Sequence, residues 1–527
     1  LCGVAEEAFD ERFPLVDPAY DGFQLAADRG QLLFDLLPFL VPIGLEGVEK
    51  GRVGDAAARQ VGLQPGDRVA QLPLLQLAGQ PVAGGVVGRG VGTHVGRERR
   101  DLAPRVLESA DGSGPPLVYG EWLVPGAKRT LILYAHYDGQ PVDPADWTVT
   151  APFEPLLVGD GAEARLYARS ASDDKAGVMA ILAAVDALRA EGRSPSFNLK
   201  IVFEGEEEAG SPNLQALLRR HRDTLASDGW IIIDGPAHQS GPPQLVLGVR
   251  GDVNVHVTVH GPARPLHSGH YGNWAPNPAM MLAELLASMK DERGRVTVAG
   301  FYDDVTPLTD AERRAIAAIP SPDAQLRREL GLGWTEGDGA TLAELINLPS
   351  LNVNGLRAAD VGESARNVIP TSATATLDLR LVLGQAPERQ IERVVAHIRA
   401  QGYEVLDRAP TMAERNRFAR IASVVRETGY PAERTPLDHP LPRQLAATLR
   451  GHGDFVLLPS LGGSLPLYLI RQELGAATVT LGLWNHDNNQ HAEDENLRLA
   501  NLWNAIALIA AVMTMDAPGG GDGQRGR

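Results

Sequence analysis

Acidic residues and histidines stand at the ends of several apolar, strand-like segments of this chain. Four such segments are LILYAHYDGQP (131–141), ARSASDDKAG (168–177), VFEGEEEAGSP (202–212) and WIIIDGP (230–236), and NNQHAEDENL (488–497) joins them late in the chain. Neutral imidazoles and ionised carboxylates are nitrogen and oxygen donors that a divalent cation accepts at about 2.0–2.2 Å. Ligand sites of open α/β sheets usually lie at strand ends, so these segments together predict a metal site.

His136 and Asp138 are two residues apart at a predicted strand end. Their side chains can therefore point the same way, and Asp138 can accept the ring N–H that does not face the metal. An isolated His-x-Asp pair is also compatible with a core or surface role. The neighbouring acidic segments favour the metal interpretation.

Glu206, Glu207 and Glu208 directly follow the apolar strand LKIVF and do not lie on a polar helix face. Two unit charges 4 Å apart repel by roughly 4 kcal/mol at an effective dielectric constant of about 20. A buried acidic trio therefore calls for a cation or a bound proton, whereas a solvated turn would need neither.

Asp173 and Asp174 precede a predicted helix, where unpaired N–H groups and the helix dipole favour acidic side chains. We expect Asp174 to have this helix-initiating role and Asp173 to be a bridging metal ligand. Asp234 follows the buried strand GWIII and is weak evidence by itself. Four further histidines lie in loops or in later strands and are predicted to be structural or surface residues: His238, His256, His260 and His270.

The chain has 527 residues, of which 44% are hydrophobic and 22% charged, so we expect a soluble globular protein of two or three domains. Its net charge of -17 argues against nucleic acid and anionic membranes as partners. Cys2 is the only cysteine of the sequence, which leaves a strong metal site to His, Asp and Glu. The most apolar stretch, residues 502–513, is too short for a membrane span and predicts a core helix.

The order of predicted elements indicates an α/β protein with a mostly parallel sheet, because strands and helices alternate and the strands are nearly continuously apolar. Period-two alternation in GDVNVHVTVHG (251–261) indicates instead an antiparallel sheet in an inserted α+β domain. The N-terminal part (1–103) is atypical and is interpreted as disordered or wrongly framed, with a short PDZ-like pattern, AARQVGLQPGDRV, as the alternative. The other predicted segments are the first part of the catalytic domain (104–247), the inserted lid (248–412), the second catalytic part (413–515) and a disordered tail (516–527).

In combination, these motifs resemble the di-zinc metallopeptidases that include carnosinase, cytosolic nonspecific dipeptidase, acetylornithine deacetylase and succinyl-diaminopimelate desuccinylase. The resemblance covers residues 104–515 and is closest to the dipeptidase branch. It implies a mostly parallel-sheet, zinc-exopeptidase-like catalytic domain with an inserted α+β lid and dimerisation domain. It also implies two divalent metal ions, zinc first, with manganese or cobalt as alternatives.

The family pattern also implies a role for individual positions. The implied ligands are His136 and Asp234 on one ion, Glu208 and His491 on the other, and Asp173 on both. The glutamate immediately before the glutamate ligand is the family's general base, here Glu207, and Asp138 is the carboxylate behind the first histidine. In the lid, His267 of PLHSGHYG matches a histidine that a partner subunit donates to the substrate carbonyl. Arg380 and Ser464 match positions that hold the substrate's C-terminal carboxylate.

Two features depart from the family pattern. The usual glycine-rich approach to the bridging aspartate reads Ala168-Arg169-Ser170-Ala171-Ser172 here, which leaves the local backbone geometry open. Residues 1–103 show no counterpart of the family's first helix and strand.

The resemblance predicts a dipeptidase or carboxypeptidase that acts on small peptides as a homodimer formed through the lid. An amidohydrolase acting on N-acyl amino acids with the same metals, and a non-catalytic binding relative, are the alternatives. A cytoplasmic location is the expectation, although a lost signal peptide is compatible with the first residues.

Overall fold

The structure is a computed structural model that describes residues 100–463 and 465–516. The described residues form two compact units. Unit 1 comprises residues 100–245, 438–456 and 472–516, and unit 2 comprises residues 246–437 and 457–471. Nearly all of the atypical segment 1–103, and the tail from residue 517, lie outside the described residues. None of the helices in the described ranges is long and apolar enough to cross a membrane.

Twenty strands are assigned within the described ranges. They are β1 (Arg105–Leu107), β2 (Leu117–Trp122), β3 (Thr130–His136), β4 (Leu156–Val158), β5 (Arg165–Tyr167), β6 (Asn198–Glu204), β7 (Gly229–Ile233), β8 (Gln244–Val246), β9 (Gly248–Val249), β10 (Gly251–His260), β11 (Leu266–His267), β12 (Ser350–Arg357), β13 (Val368–Ile369), β14 (Ser372–Leu381), β15 (Glu404–Leu406), β16 (Ile421–Arg426), β17 (Glu433–Arg434), β18 (Val456–Leu458), β19 (Ala477–Gly482) and β20 (Asn496–Arg498).

The α-helices of the same ranges number thirteen. They are α1 (Lys175–Ala190), α2 (Leu214–Arg220), α3 (Arg222–Leu225), α4 (Ser268–Tyr271), α5 (Pro278–Ala287), α6 (Asp310–Ala317), α7 (Asp323–Glu329), α8 (Leu342–Leu345), α9 (Pro387–Ala400), α10 (Met412–Arg417), α11 (Pro440–Arg450), α12 (Leu467–Leu474) and α13 (Leu499–Met513). Short 3-10 helices lie at Gly161–Glu163, Glu207–Ala209 and Gly362–Ser364.

An eight-stranded sheet with the order β1-β2-β6-β3-β7-β19-β8-β18 organises unit 1. Its four central strands, β6, β3, β7 and β19, run parallel to one another, and β1 and β2 are antiparallel additions at one edge. The central strands are buried along almost their whole length because side chains on both faces are covered. The prediction of a mostly parallel α/β sheet is confirmed.

Helix α1 covers this sheet and packs against both β3 and α13. Its sequence, KAGVMAILAAVDALRA, is apolar around most of its circumference, and eleven of its sixteen residues are buried. The helix begins after Asp174, whose side chain accepts a hydrogen bond from the amide N–H of Gly177, and it ends before Gly192, which has a φ of 64°. The segment 502–513 likewise lies in α13, which is the core helix that its composition predicts.

Unit 2 is built on a five-stranded sheet with the order β12-β14-β10-β16-β15. Residues of β10 alternate strictly between buried and partly exposed positions, as the period-two sequence pattern predicts. Helices α5 and α9 pack on the buried face, where Val255, Val257 and Leu377 are fully covered. The result is the α+β arrangement that the sequence predicts for the inserted region.

The end of the inserted region differs from the predicted boundary at residue 412. Residues 413–437 cluster with unit 2, because β16 pairs antiparallel with β10 and in parallel with β15. The first four residues of β16 are all buried, so this strand lacks the alternating pattern that would have marked it as part of the antiparallel sheet.

Candidate active site

Three of the acidic segments leave the sheet of unit 1 at the same edge. Strand β3 ends at His136, β6 ends shortly before the glutamate trio, and Asp234 directly follows β7. Because β3 pairs in parallel with both β6 and β7, the carboxyl ends of the three strands are neighbours. The topology therefore brings together side chains that are about a hundred residues apart in the chain.

The His136 side chain is fully buried and faces two carboxylates through Nε2. Its Nε2 lies 2.9 Å from Oδ1 of Asp173 and 3.9 Å from Oδ2 of Asp234. Both aspartates are themselves buried. The structure thus places together the histidine and the two aspartates that the sequence assigns to the first metal ion.

The second histidine reaches the same cluster from the distant segment 488–497. Nε2 of His491 lies 3.0 Å from Oδ2 of Asp173 and 3.2 Å from Oε2 of Glu208. Asp173 therefore presents one carboxylate oxygen to each histidine, as expected for a residue between two cations. The His491 side chain is 54% exposed, so this side of the cluster is open to solvent.

Asp138 fixes the orientation of the first histidine. Its Oδ1 lies 3.1 Å from Nδ1 of His136, and its Oδ2 accepts a hydrogen bond from the backbone N–H of Glu208 at 3.1 Å. A proton held on Nδ1 by this carboxylate leaves the lone pair of Nε2 free for a cation. Asp138 thus joins the strand end at 136 to the glutamate segment.

The three consecutive glutamates have different surroundings. Glu206 accepts hydrogen bonds from the backbone and side-chain amides of Asn213 at 2.6 and 2.9 Å, which is a structural role. Glu208 accepts a hydrogen bond from Nε2 of Gln140 at 2.8 Å and faces the histidine at 491. Burial raises the pKa of Glu207 well above its usual range, and the carboxylates of Asp234 and Glu204 raise it further. Glu207 therefore combines proximity to the cluster with unusual basicity.

The charge balance of the cluster fits bound cations. Burial raises the pKa of Asp234 to about 7, and the neighbouring Asp173 adds to this rise. The carboxylates of Asp173 and Glu208 accept hydrogen bonds from the imidazole of His491 and thereby raise its pKa to about 10. The carboxylates of the cluster thus favour a positive charge beside them. Ligand atoms that share a metal with bonds of about 2.0–2.2 Å lie about 3–4 Å apart, which matches the separations between the imidazole and carboxylate atoms.

Asp174 is also close enough to His136 and Asp234 to form a group that could hold a metal ion. Its carboxylate, however, already accepts hydrogen bonds from three donors. These are the backbone N–H of Gly177, the backbone N–H of His136 and the indole N–H of Trp484, each at 3.2 Å. The helix-initiating role expected from the sequence accounts for the Gly177 contact, and the other two contacts tie Asp174 to β3 and to the segment after β19.

The sequence did not predict the roles of two glutamines and one ion pair at this site. Gln140 donates to Glu208, and Gln490 donates to Oδ2 of Asp173 at 3.2 Å. Glu495 and Arg169 form a buried ion pair of 2.8 Å beside the Asp173 loop. All of them lie within or next to the five segments singled out from the sequence, so their position in those segments was the available signal.

The remaining predicted residues lie in unit 2 or outside the described ranges. His267 is exposed, and its Nδ1 accepts a hydrogen bond from the backbone N–H of Gly269 at 3.0 Å. Nε of Arg380 lies 3.1 Å from Asp378 and 3.6 Å from Asp252, and its side chain is partly exposed. Ser464 lies outside the described residues.

Imidazoles and carboxylates gathered at the carboxyl end of a mostly parallel sheet define an α/β metallohydrolase. The chain belongs to peptidase family M20/M25/M40, whose family model matches residues 132–515. It is therefore a hydrolase of the metallopeptidase class, as the sequence predicts.

Several curated proteins and solved structures are similar to this chain. The Cys-Gly metallodipeptidase of Schizosaccharomyces pombe is 27% identical over 420 residues, which cover 78% of this chain and 85% of the relative. The Beta-Ala-His dipeptidase of Rattus norvegicus is 28% identical over 401 residues, with 74% and 77% covered. An M20 family metallo-carboxypeptidase from Sulfolobus solfataricus superposes with a TM-score of 0.70 at 27% identity, covering 92% of this chain and 98% of that one.

Proposed function

We propose that this protein is a metal-dependent dipeptidase that hydrolyses the peptide bond of dipeptides or short peptides. The observation that carries the proposal is the position of the Asp173 carboxylate, with one oxygen near His136 and the other near His491. Relatives named as Cys-Gly and Beta-Ala-His dipeptidases support a dipeptide substrate. Five residues would hold two divalent ions, zinc first: His136, Asp173, Glu208, Asp234 and His491.

The metal ions, when bound, would lower the pKa of a bound water towards about 7 and polarise the scissile carbonyl. Glu207 acts as the general base, because its raised pKa lets it accept the water proton and later donate that proton to the leaving amine. Asp138 keeps the imidazole of His136 in the tautomer that frees Nε2. The products are an amino acid and a second amino acid or shortened peptide.

Substrate binding is assigned to residues of unit 2. In the neutral imidazole of His267, acceptance of a hydrogen bond at Nδ1 places the proton on the exposed Nε2, which can donate to a developing oxyanion. We propose that this histidine acts on a partner subunit's substrate and that the protein is a homodimer formed through unit 2. Arg380 and Ser464 are proposed to hold the C-terminal carboxylate of the substrate.

The runner-up activity is hydrolysis of N-acyl amino acids, which also end in a carboxylate. The dipeptidase names of the relatives favour the peptide substrate. A direct test compares turnover of free dipeptides, such as Cys-Gly and β-Ala-His, with turnover of N-acetyl amino acids by the zinc- or manganese-loaded protein. A higher kcat/KM for the N-acetyl compounds would reverse this order.

The requirement for metal is tested by dialysis against a chelator. We expect dipeptide hydrolysis to be lost and to return with zinc, manganese or cobalt, while elemental analysis gives two ions per chain in the active sample. Full activity in a sample containing less than one ion per chain would contradict the two-metal proposal. The cytoplasmic location remains a prediction of the sequence.

A further inference from the structure

Glu495 lies four residues after the proposed ligand His491, and its side chain is completely buried. Both of its carboxylate oxygens accept hydrogen bonds from the loop that carries Asp173, residues 168–174, which we call the aspartate loop. Oε1 accepts from the backbone N–H of Asp173 (2.9 Å) and from the N–H and hydroxyl of Ser172 (2.9 and 2.8 Å), and Oε2 accepts from the N–H of Ser170 (2.7 Å) and from Nη1 of Arg169 (2.8 Å).

Arg169 makes the same connection in the opposite direction. It belongs to the aspartate loop, and its Nη2 donates to the backbone oxygen of Ala492 at 2.8 Å, directly after His491. Its guanidinium also lies over the ring of Trp147, 5.3 Å from the ring centre. The ion pair between Arg169 and Glu495 thus closes a buried bridge between the aspartate loop and the turn of residues 489–495, which we call the histidine turn.

Both connected segments contain unfavourable backbone conformations. Ser170 has a φ of 62° and His491 a φ of 63°, in the left-handed region that side chains rarely adopt. Such conformations persist where the surrounding contacts determine them, and they often lie at functional sites. Glu495 binds the N–H of Ser170, and Arg169 binds the carbonyl of Ala492, so the bridge contacts one strained residue directly and the neighbour of the other.

We propose that Glu495 is a positioning residue that holds the aspartate loop and the histidine turn in register and thereby sets the affinity of both metal ions. This inference rests on the proposed function. Through the aspartate loop, Glu495 acts on Asp173, the residue shared by both ions. Asp138, in contrast, contacts the ligating side chain of His136 directly and Glu208 only at its backbone N–H, so we expect it to affect the first ion more than the second.

The test measures binding of Zn²⁺ and Co²⁺ to the metal-free full-length protein by chelator competition, together with the visible spectrum of the Co²⁺ form. For Glu495→Gln we expect both ions to bind about 10- to 100-fold more weakly, with an altered Co²⁺ spectrum. The matched control Glu493→Gln changes an exposed glutamate of the same turn and should stay within about twofold of wild type. Asp138→Asn should weaken one ion more than the other.

A stable Glu495→Gln protein with wild-type affinity for both ions would overturn the proposal. So would a variant with lowered thermal stability in the metal-free state but unchanged metal affinity, because this would be a purely structural role. If Glu495→Gln does not fold, Ser172→Ala takes its place, since it removes a single hydroxyl donor to Oε1. We expect this variant to lose metal affinity several-fold, and wild-type affinity would again overturn the proposal.

The proposed function and this inference fail in different ways. A wild-type protein that binds neither ion, with no dipeptidase activity after loading, would refute the proposed function and with it the inference. Normal metal binding and hydrolysis by wild type, combined with unchanged metal affinity in Glu495→Gln and in Ser172→Ala, would refute the inference alone.

Discussion

The two units use different kinds of strand, and the difference decides where chemistry occurs. In unit 1 the central strands are buried on both faces, and the histidine and the acid that they contain, His136 and Glu204, are the last residues of β3 and β6. In unit 2 the strand β10 buries one face only, and titratable residues such as His256 and His260 alternate along it with core valines. Buried charge is thus concentrated at one edge of the first sheet and spread along the second.

The partners of these charged groups differ in the same way. In unit 2, Nε2 of His256 lies 2.6 Å from Glu427, and Arg434 forms a buried ion pair of 3.0 Å with Glu312, so each of these carboxylates has a nitrogen partner. In unit 1, carboxylates predominate at the strand ends, and burial raises the pKa values of Asp234 and Glu207. A site with unmatched acids attracts cations, whereas matched pairs need none.

A glutamate-to-glutamine change in each unit gives the strongest test of this difference between the two units. We expect Glu207→Gln to lower kcat for dipeptide hydrolysis by about 10²–10⁴-fold, because the general base is removed, while metal content stays at the wild-type level. Glu427→Gln removes the partner of His256 on the polar face of the second sheet and should leave kcat within about twofold. Steady-state kinetics and elemental analysis on both variants measure the contrast. Undiminished hydrolysis by Glu207→Gln would refute the assigned base.

A second prediction uses Glu204, the last residue of β6. Burial raises its pKa to about 7, so between pH 4.5 and 7 the folded protein holds a proton that the unfolded chain has released. Stability from this group is therefore complete below about pH 4.5 and is lost as the pH rises through 7. Glu204→Gln removes this loss of stability. The free energy of unfolding of the metal-free variant should exceed that of wild type by up to about 3 kcal/mol at pH 8 and equal it near pH 4.5.

Denaturant unfolding at the two pH values, with chelator present in both samples, measures this difference. The hydroxyl of Tyr134 donates to the Glu204 carboxylate at 2.7 Å, and glutamine keeps an acceptor for it. A variant that is less stable than wild type at pH 8 would show that the carboxylate is tolerated in its ionised form.

The third prediction has the opposite sign and concerns unit 2. Burial lowers the pKa of His260 to about 4, and its Nε2 lies 2.9 Å from the hydroxyl of Ser423. Stability from this group is present above pH 6.5 and is lost as the pH falls through 4, because the unfolded chain takes up the proton first. We expect His260→Gln to remove a loss of folding stability at acid pH. The size of this loss is on the order of 1 kcal/mol, because solvent screens the half-buried ring.

Thermal unfolding of wild type and His260→Gln at pH 8 and pH 5 provides the measurement. The difference between the two pH values should be smaller in the variant, with pH 8 as the internal reference. Equal pH dependence in both proteins would mean that another group controls the acid sensitivity of this unit.

Much of unit 1 was predictable because short stretches of its sequence specify its strands, its long helix and its acidic segments. Continuous apolar strands, the helix at 175–190 and the acidic segments at strand ends each carry a short-range signal, and parallel pairing brings the segments to one edge. The inserted sheet was also predictable from alternation in β10. Strand β16 was not assigned to that sheet, because the first four of its residues are buried and show no alternation.

The sequence patterns did not predict the contacts that join distant segments. Glu495 reads as one of three acids in HAEDENL, and its partners in the aspartate loop are more than three hundred residues away. The separate environments of Glu206, Glu207 and Glu208 also follow from tertiary packing, since the three residues are adjacent and chemically identical. Position in a motif indicated the region, and only the folded arrangement distinguishes the roles.

The smallest expected effect concerns the serine that stands in the usually glycine-rich approach to Asp173. Ser170 has a φ of 62°, so Ser170→Gly should relieve a strain of about 1–2 kcal/mol and lose part of that gain to the greater chain entropy of glycine. We expect a net stabilisation of about 0.5 kcal/mol in denaturant unfolding. The converse variant, Gly192→Ser, introduces a side chain at a φ of 64° into open space after helix α1 and should destabilise by a similar or larger amount. Destabilisation by Ser170→Gly would mean that the serine side chain, whose hydroxyl lies 3.3 Å from the Asp138 carbonyl, stabilises the loop more than its backbone conformation costs.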